Sequence, residues 1–231
     1  MTAHRCEIAG ETMLLLAAKA MYWPRKKMLI VADIHFGKAT AFRALGVPVP
    51  GGTTGQNLAA LDAMLNAYAV DEVVFLGDFL HARAAHAPAV LGAMVAWREH
   101  RPALRLTLVR GNHDAHAGDP SALLRIDMVD EPHHVAPFAL CHHPDLATPA
   151  YVLAGHVHPV LHLRSGRDAV RLPCFLLGQT RAVLPSFGAF TGGYGIRPEL
   201  GERVFVVADD TVFQVPPTHL ASQLVGTGGG K

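Results

Sequence analysis

The sequence predicts an α/β (α+β) fold in which two β-sheets form a sandwich flanked by helices. Up to about residue 125, apolar runs alternate with helical patterns, which indicates βαβ units and a parallel sheet. Beyond that residue, short turns join the apolar runs and no helical pattern is evident. A chain of 231 residues, 50% of them hydrophobic, can form one α/β domain with a sizeable core.

The first predicted elements are short strands at residues 7–8, 13–16, 20–23 and 28–32, with a hairpin turn at 24–27. Residues 36–53 are expected to form a loop because prolines and glycines crowd 47–52. A helix should follow, capped by Thr53 or Thr54 and ending near residue 68. Its apolar residues recur at helical spacing and predict a core-facing stripe: Leu58, Leu61, Leu65 and Tyr68.

The remaining elements continue this alternation and then change to strands alone. Strands are expected at 72–76 and 104–109, with a helix at 88–100 between them. Further strands are expected at 133–135, 138–141, 151–154, 160–163, 170–177, 181–184 and 204–207. The glycine-rich residues 226–231 are expected to be a disordered tail, so that one domain spans 1–225.

Composition limits the classes of function. The net charge of +1 is no electrostatic footprint for tight nucleic-acid binding. Two basic groups are candidates for a local nucleic-acid patch, with solvated turn and edge-strand charges as the favoured interpretation: residues 25–27, and Arg164, Arg167, Arg171 and Arg181. Three scattered cysteines make no disulfide framework and favour a reducing compartment. The apolar run 13–18 is too short for a signal or a membrane span, so a cytoplasmic protein without membrane partners is expected.

Five short clusters of histidine, aspartate and asparagine carry the chemistry, and each follows an apolar run. They are Asp-Ile-His at 33–35, Gly-Asp-Phe-Leu-His at 77–81, Gly-Asn-His-Asp at 111–114, His-His at 142–143 and Gly-His-Val-His at 155–158. We expect the clusters at the carboxyl ends of strands, where open α/β sheets bind ligands. These side chains are ligands of borderline divalent metals. The sequence therefore predicts a metal site, and one with two metals.

Local spacing supports convergence within two of the clusters. In extended backbone, residues i and i+2 point to the same side. Asp33 and His35 are therefore expected to converge, as are His156 and His158. Gly155 is expected to let the backbone approach the site closely.

The order of the five clusters resembles that of the calcineurin-like metallophosphoesterase superfamily over residues 28–158. The resemblance implies a β-sandwich flanked by helices with a two-metal site at one end. By motif, it implies that Asp33, His35 and His158 hold one metal, that Asn112, His142 and His156 hold the other, and that Asp78 bridges both. Mn²⁺ is the expected metal, and Fe or Zn are the alternatives because such ligand sets accept several ions.

The resemblance also implies roles for residues that are not ligands. His113 would face the scissile phosphate and either protonate the leaving group or stabilise its charge, and Asp114 would orient His113. Many family members carry Asp or Asn where His81 stands, so His81 is open to three readings: a group behind the ligands, a substrate contact or a packed residue. His143 is expected to lie behind the ligands or at the surface.

The stretch 32–38 together with Phe42, Arg43 and residues 46–50 resembles a bacterial subfamily, the ligase-associated DNA-damage-response endonucleases or phosphoesterases. This resemblance implies a phosphodiester substrate such as DNA, and association with a DNA ligase and a helicase. Lys38 and Arg43 are candidate phosphate contacts. A salt bridge within the loop is the alternative for both.

The favoured function is a two-metal-dependent phosphodiesterase, a DNA endonuclease linked to DNA repair. The first alternative is a nucleotide or general phosphomonoester hydrolase, because the same metals serve both reactions and the shape of the cleft decides. The second is a non-catalytic binding scaffold. A scaffold would be expected to lose ligands or the histidine of the Gly-Asn-His-Asp cluster, and none of these is missing here.

Overall fold

Two β-sheets and the helices packed on them make up the part of the chain that the computed structural model describes, residues 2–49, 51–165 and 168–224. The strands are β1 Ala3–Ile8, β2 Glu11–Leu16, β3 Ala20–Trp23, β4 Met28–Val31, β5 Glu72–Leu76, β6 Arg105–Val109, β7 Asp127–Val129, β8 His133–Val135, β9 Phe138–Leu140, β10 Tyr151–Ala154, β11 Pro159–Ser165, β12 Asp168–Leu177, β13 Arg181–Val183, β14 Tyr194–Gly195, β15 Arg203–Ala208 and β16 Thr211–Gln214. The helices are α1 Lys38–Ala44, α2 Thr53–Ala67, α3 Pro88–Glu99, α4 Asn112–Ala117 and α5 Pro217–Leu224.

The first sheet runs in sequence order from β1 to β7. Strands β1 to β4 are antiparallel, and β4 to β7 are parallel. Every residue of β4 is buried, as expected for a parallel strand covered on both faces. Val31 pairs with Phe75 and Phe75 with Leu108, so β4, β5 and β6 end side by side. The three clusters that follow these strands therefore meet at one edge.

The second sheet has the order β14-β11-β12-β13-β10-β9-β8, with β15 beside β12 and β16 beside β15. Strands β9, β10 and β13 are parallel to one another. Leu140 pairs with Leu153 at the ends of β9 and β10. These two strands lead directly into the His-His cluster and the Gly-His-Val-His cluster, which places both clusters at the same edge of this sheet.

One core lies between the two sheets, where the Trp23 ring meets Phe138 edge-on at a centroid distance of 4.9 Å. A second core fills the space between the outer face of the first sheet and helices α2 and α3. Leu58 and Leu61 are buried in this second core, and Leu65 and Tyr68 pack against it, so the predicted apolar stripe is confirmed. The predicted fold class, a two-sheet sandwich flanked by helices, is correct.

Two helices were wrongly predicted as irregular structure. Residues 38–44 form α1 inside the segment expected to be a loop, because its alanine-rich sequence favours helix and the proline-rich stretch begins only after it ends. α5 forms in the half expected to contain strands alone, and Leu220 packs it against the second sheet. The predicted cap was also wrong, because Gly52 with φ of 79° precedes α2 and Thr53 is already helical.

Smaller predictions are settled by burial and by strand pairing. Strand β7 was missed because it is short and only partly buried, although it extends the first sheet beside β6. Cys6, Cys141 and Cys174 are buried free thiols, as expected. Among the described helices, none combines the length and apolar character that crossing a bilayer requires. The predicted tail at 226–231 lies outside the described residues.

Candidate metal centre

All five clusters lie at the carboxyl ends of the strands that the sequence predicted for them, namely β4, β5, β6, β9 and β10. The edges of the two sheets are joined here by backbone-to-side-chain bonds. The backbone N–H of His156, after β10, donates to the carboxylate of Asp33, after β4, at 2.9 Å and 3.2 Å from its two oxygens. Asp33 is fully buried, so this contact links the two sheets at a point that solvent does not reach.

The expected reason for convergence was wrong, although the side chains do converge. Five cluster residues adopt positive φ angles near the left-handed region, with φ of 53° at Asp33, 48° at His35, 49° at Asp78, 69° at His156 and 51° at His158. The alternation of side chains in an extended strand therefore does not explain why these side chains converge. Each turns inward through a conformation that is unfavourable for residues other than glycine, and such strain concentrates at functional sites.

Glycines admit the neighbouring backbone at two points of the centre. A Cβ on Gly155 would lie 2.6 Å from Oδ2 of Asp33, and one on Gly111 would lie 2.5 Å from Oδ1 of Asp78. A side chain at either glycine would require a buried carboxylate to move, and such a movement costs free energy. The close approach predicted at Gly155 is confirmed.

The first group of donor atoms comes from Asp33, His35, Asp78 and His158, whose ligand atoms lie within 4.8 Å of one another. Nε2 of His35 is 3.4 Å from Nε2 of His158 and 3.6 Å from Oδ2 of Asp78. Nε2 of His158 is 3.4 Å from Oδ1 of Asp33. Burial, reinforced by the nearby Lys38 ammonium, strongly lowers the pKa of His35 and keeps its imidazole neutral. Lone pairs therefore face one another, as a divalent cation requires.

The second group of donors is formed by Asn112, His142 and His156. Nδ1 of the buried His142 donates to the carbonyl of Leu76 at 3.1 Å, which leaves a lone pair on Nε2 in the neutral ring. That nitrogen lies 2.9 Å from Oδ1 of Asn112 and 3.0 Å from Nδ1 of His156. Partial burial and the neighbouring imidazoles lower the pKa of His156. This group also fits a cation, because an oxygen and an unprotonated nitrogen otherwise repel at this distance.

Asp78 lies between the two donor groups. Its Oδ2 faces Nε2 of His35 at 3.6 Å, and its Oδ1 faces Nε2 of His142 at 3.5 Å. Oδ1 also accepts the backbone N–H of His113 at 2.9 Å. One carboxylate oxygen thus points to each group, which is the placement that a shared ligand needs.

His113 lies in the first turn of α4, and one of its ring nitrogens faces the centre. Its Nδ1 donates to the carbonyl of His81 at 2.9 Å, which fixes the tautomer of the neutral ring. Its Nε2 lies 3.9 Å from Oδ2 of Asp78, and 38% of the side chain is exposed to solvent. This partly exposed imidazole can contact a substrate, and one donor atom from each of His35, His81 and His113 also lies within 4.8 Å of the others.

The predicted role of Asp114, which was to orient His113, is not what the structure shows. The Asp114 carboxylate is buried and accepts two backbone N–H groups, those of Leu80 and Gly111, each at 3.0 Å. The His81 carbonyl holds His113 instead. Asp114 ties the turn after β6 to the loop after β5. It therefore acts as a positioning residue that holds the Asp78 loop and the His113 turn in register.

We expect Asp114→Ala to destabilise the protein by about 1–3 kcal/mol for each buried N–H left without an acceptor. Chemical denaturation measures this directly. Asp119→Ala is the control, because Asp119 is exposed and lies just beyond the same helix. Equal stability of the two variants would contradict the structural role assigned to Asp114.

Three residues were predicted as candidate substrate contacts: Lys38, Arg43 and His81. They lie in different surroundings in the structure. Lys38 opens α1, where burial lowers its pKa while the carboxylates of Asp78 and Asp33 oppose that effect, so the ammonium lies within electrostatic range of the centre. Arg43 lies in the last turn of α1 on the exposed surface, and its guanidinium reaches Thr40 at 3.3 Å.

His81 contacts the first donor group from behind. Its Nδ1 is 3.4 Å from Nδ1 of His35, and its ring stacks on His113 at a centroid distance of 4.9 Å. Burial, followed by the charges of Lys38 and His113, lowers the pKa of His81 to about 4. A neutral His81 can accept the Nδ1 proton of His35 and so direct Nε2 of His35 at Asp78.

Glu131 is a contributor that the sequence did not reveal. Its Oε2 accepts the backbone N–H of His142 at 2.7 Å and that of His143 at 2.9 Å, and its Oε1 contacts Nδ1 of His143 at 2.6 Å. Burial alone would raise the pKa of Glu131, but these hydrogen bonds outweigh burial and lower it. No motif surrounds Glu131 in the sequence, so only the fold shows that it holds the His-His cluster. His143 lies beside His142 and His156, and one donor atom from each of the three lies within 4.8 Å of the others, so its predicted place behind the ligands stays a prediction.

A sandwich of two sheets with Asp, His and Asn donors grouped at its strand ends is the arrangement of a metal-dependent phosphoesterase. The family model of calcineurin-like phosphoesterases matches residues 26–144, and the chain belongs to this family. The match includes four of the five clusters. None of the curated protein sequences compared matches the chain.

Solved structures provide the second comparison. The chain is similar to the nuclease MPE of Pseudomonas putida, with 43% identity and a TM-score of 0.83, over 93% of this chain and 100% of that one. It is also similar to a protein of unknown function from Aquifex aeolicus, with 21% identity over 57% of this chain and 78% of that one. The TM-score of 0.38 to that protein is too low to support any conclusion.

Proposed function

We propose that the protein is a two-metal-dependent phosphodiesterase that cleaves DNA and acts in DNA repair. The observation that carries the proposal is the 43% identity to a nuclease over the full length of that chain. The two donor groups on either side of Asp78 support the use of two ions, with Mn²⁺ preferred over Fe or Zn. Association with a DNA ligase and a helicase belongs to the same proposal and rests on the subfamily resemblance.

The chain's own residues divide the work of the reaction. One ion would be held by Asp33, His35 and His158 and the other by Asn112, His142 and His156, with Asp78 shared between them. Bound ions supply Lewis-acid polarisation of the phosphoryl oxygens and favour ionisation of water. His113 in its protonated form donates the Nε2 proton to the departing oxygen as the P–O bond breaks, while Nδ1–H stays on the His81 carbonyl.

Two other functions remain as alternatives. A phosphomonoester hydrolase would need the same donors, and a non-catalytic scaffold would need none of them. A scaffold is disfavoured because the buried, strained and mutually repelling donor atoms would then carry an energetic cost without any compensating ion. The distinction between diester and monoester depends on contacts beyond the donors.

A single set of assays separates these functions. The purified protein with Mn²⁺ is offered bis-p-nitrophenyl phosphate, p-nitrophenyl phosphate, and single- and double-stranded DNA. We expect cleavage of the diester and of DNA to exceed hydrolysis of the monoester. Activity on the monoester alone would favour the phosphomonoesterase, and metal binding without activity on any substrate would favour the scaffold.

A phosphate contact at Lys38 predicts a kinetic difference between substrates. We expect Lys38→Ala to raise KM for DNA by about 3–10-fold and to leave kcat nearly unchanged, because the contact is made in the ground and transition states alike. Arg43→Ala should act in the same direction and more weakly, since Arg43 is exposed at the far end of α1. KM for p-nitrophenyl phosphate should change less in both variants.

The control for these variants is Lys26→Ala, because Lys26 lies at the amino end of β4, opposite the metal centre. Equal changes of KM for the monoester and for DNA would argue that Lys38 binds the scissile phosphate of any substrate and would favour the phosphomonoesterase.

A further inference from the structure

A cavity of about 140 Å³ adjoins the candidate metal centre. Its walls come from the turn between β2 and β3, from strands β11 and β12, and from the segment after β13. The lining residues that matter here are Lys19, His158, Arg171, Ser186, Thr191 and Gly193. The cavity shares His158 with the first donor group, and Oγ of Ser186 donates to the backbone carbonyl of Asp33 at 2.8 Å. Centre and cavity therefore have a common wall.

The cavity is cationic. Lys19 directs its ammonium inward and donates one hydrogen bond to the carbonyl of Phe187 at 3.0 Å, and an ammonium has three N–H donors. The Arg171 guanidinium donates to the carbonyl of Gly193 and has further N–H groups. Among the described residues that line the cavity, none is a carboxylate. The site thus offers two positive charges to an anion, without an internal partner to neutralise them.

One residue of the cavity wall, Thr191, has a buried hydroxyl. Oγ1 of Thr191 is buried and has no hydrogen-bond partner among the described residues. Buried polar atoms nearly always have partners, so an orphaned one calls for a water or a ligand. Burial also lowers the pKa of Lys19 to about 8, and an anion in the cavity would restore the charged form. The cavity wall therefore contains a polar group that lacks a partner among the described residues.

We propose that this cavity binds the phosphate of the nucleotide adjacent to the scissile phosphodiester, through Lys19 and Arg171, on the side of the metal centre formed by His158. The inference rests on the proposed function and adds one substrate subsite to it. The reason is proximity and charge: a continuous strand whose scissile phosphate lies among the donors must continue past His158. A base does not suit a lining of cations and hydroxyls, whereas a phosphate does. Small aryl diesters lack a second phosphate and cannot use this cavity.

The test compares an oligonucleotide with a diester that lacks the adjacent phosphate. Steady-state kinetics with Mn²⁺ are measured for Lys19→Gln, Lys19→Ala and Arg171→Ala on a single-stranded oligonucleotide and on bis-p-nitrophenyl phosphate. Lys19→Gln retains a donor for the Phe187 carbonyl while it removes the charge, so an effect shared with Lys19→Ala does not arise from misfolding. Lys27→Ala is the matched control, because Lys27 is also a lysine with positive φ in a turn of the first sheet, at the edge away from the centre.

We expect each cavity variant to raise KM for the oligonucleotide by about tenfold, with kcat and both constants for bis-p-nitrophenyl phosphate within twofold of the unsubstituted protein. The slope of log KM against log salt should fall by about 0.7 for each lost phosphate contact. An unchanged KM for the oligonucleotide, or an equal rise for both substrates, would overturn the subsite. If the unsubstituted protein cleaves bis-p-nitrophenyl phosphate but no oligonucleotide, the proposed function and the subsite both fail, whereas loss of the subsite alone leaves oligonucleotide cleavage intact.

Discussion

Asp78→Ala should abolish binding of both metal ions and reduce phosphodiester cleavage by on the order of 10³-fold or more. The reason is that each of its two oxygens faces a different donor group, at 3.6 Å from His35 and at 3.5 Å from His142. The other carboxylate of the centre, that of Asp33, places a single oxygen, Oδ1, near His158 and His142, at 3.4 Å and 3.8 Å. Elemental analysis of the purified protein and calorimetric titration with Mn²⁺ measure the loss directly, independently of activity.

A folding defect is separated from metal loss by a second substitution. Asp78→Asn retains an oxygen that can accept the N–H of His113, while it removes the charge and one ligand oxygen, so we expect a folded protein with weakened metal binding. Asp71→Ala is the matched control, because Asp71 lies just before β5 and Asp78 lies just after it, at opposite ends of one strand. Two ions bound at normal affinity by Asp78→Ala would refute the shared-ligand arrangement.

His113→Ala should lower kcat for DNA cleavage by about 10²–10⁴-fold and leave metal content unchanged. Its Nδ1 is held by the His81 carbonyl at 2.9 Å, so Nε2 is the ring nitrogen that protonates the leaving group in the proposed reaction. The effect should be smaller with bis-p-nitrophenyl phosphate, since p-nitrophenolate departs without protonation. Stopped assays on both substrates and elemental analysis of the same preparation give the two readouts.

His116→Ala is the control for this variant. His116 lies one turn further along α4 and is exposed. Its Nδ1 contacts the carbonyl of Asn112 at 2.7 Å. We expect its kinetics to match those of the unsubstituted protein. Loss of metal in His113→Ala would show that the division between ligand and proton donor is wrong.

Strand positions and cluster positions could be predicted because both are local. A buried parallel strand is an uninterrupted apolar run, and the polar residues that follow it must lie at the edge of the sheet. Residues 72–76 illustrate this: the run is β5, and Asp78 lies two residues beyond its end. The helix α1 was missed because its seven residues bury only Ala39, and so leave too little apolar pattern to detect.

The placement of the clusters at the strand ends could be predicted, whereas the geometry of the centre could not, and the assignment of individual ligands stays a prediction. The ligand residue types were readable from the motifs, whereas the positive φ angles at Asp33 and His35 were not, since nothing in a sequence specifies a strained turn in a residue other than glycine. The role of Asp114 was misassigned for a similar reason. Its partners are backbone N–H groups of Leu80 and Gly111, and a sequence does not display which backbone groups need an acceptor.

The sequence alone determined the two-sheet architecture, the strand ends at which the clusters lie and the residue types placed there. The reason is that apolar runs and side-chain chemistry can be read from short stretches of sequence. The tertiary structure alone decided which atoms face one another. It brought Glu131 beneath the His-His cluster, directed the His81 carbonyl to His113, and joined Lys19 to Arg171 around one cavity. Such contacts join residues far apart in the chain, and their geometry follows from how the sheets pack, which no local pattern encodes.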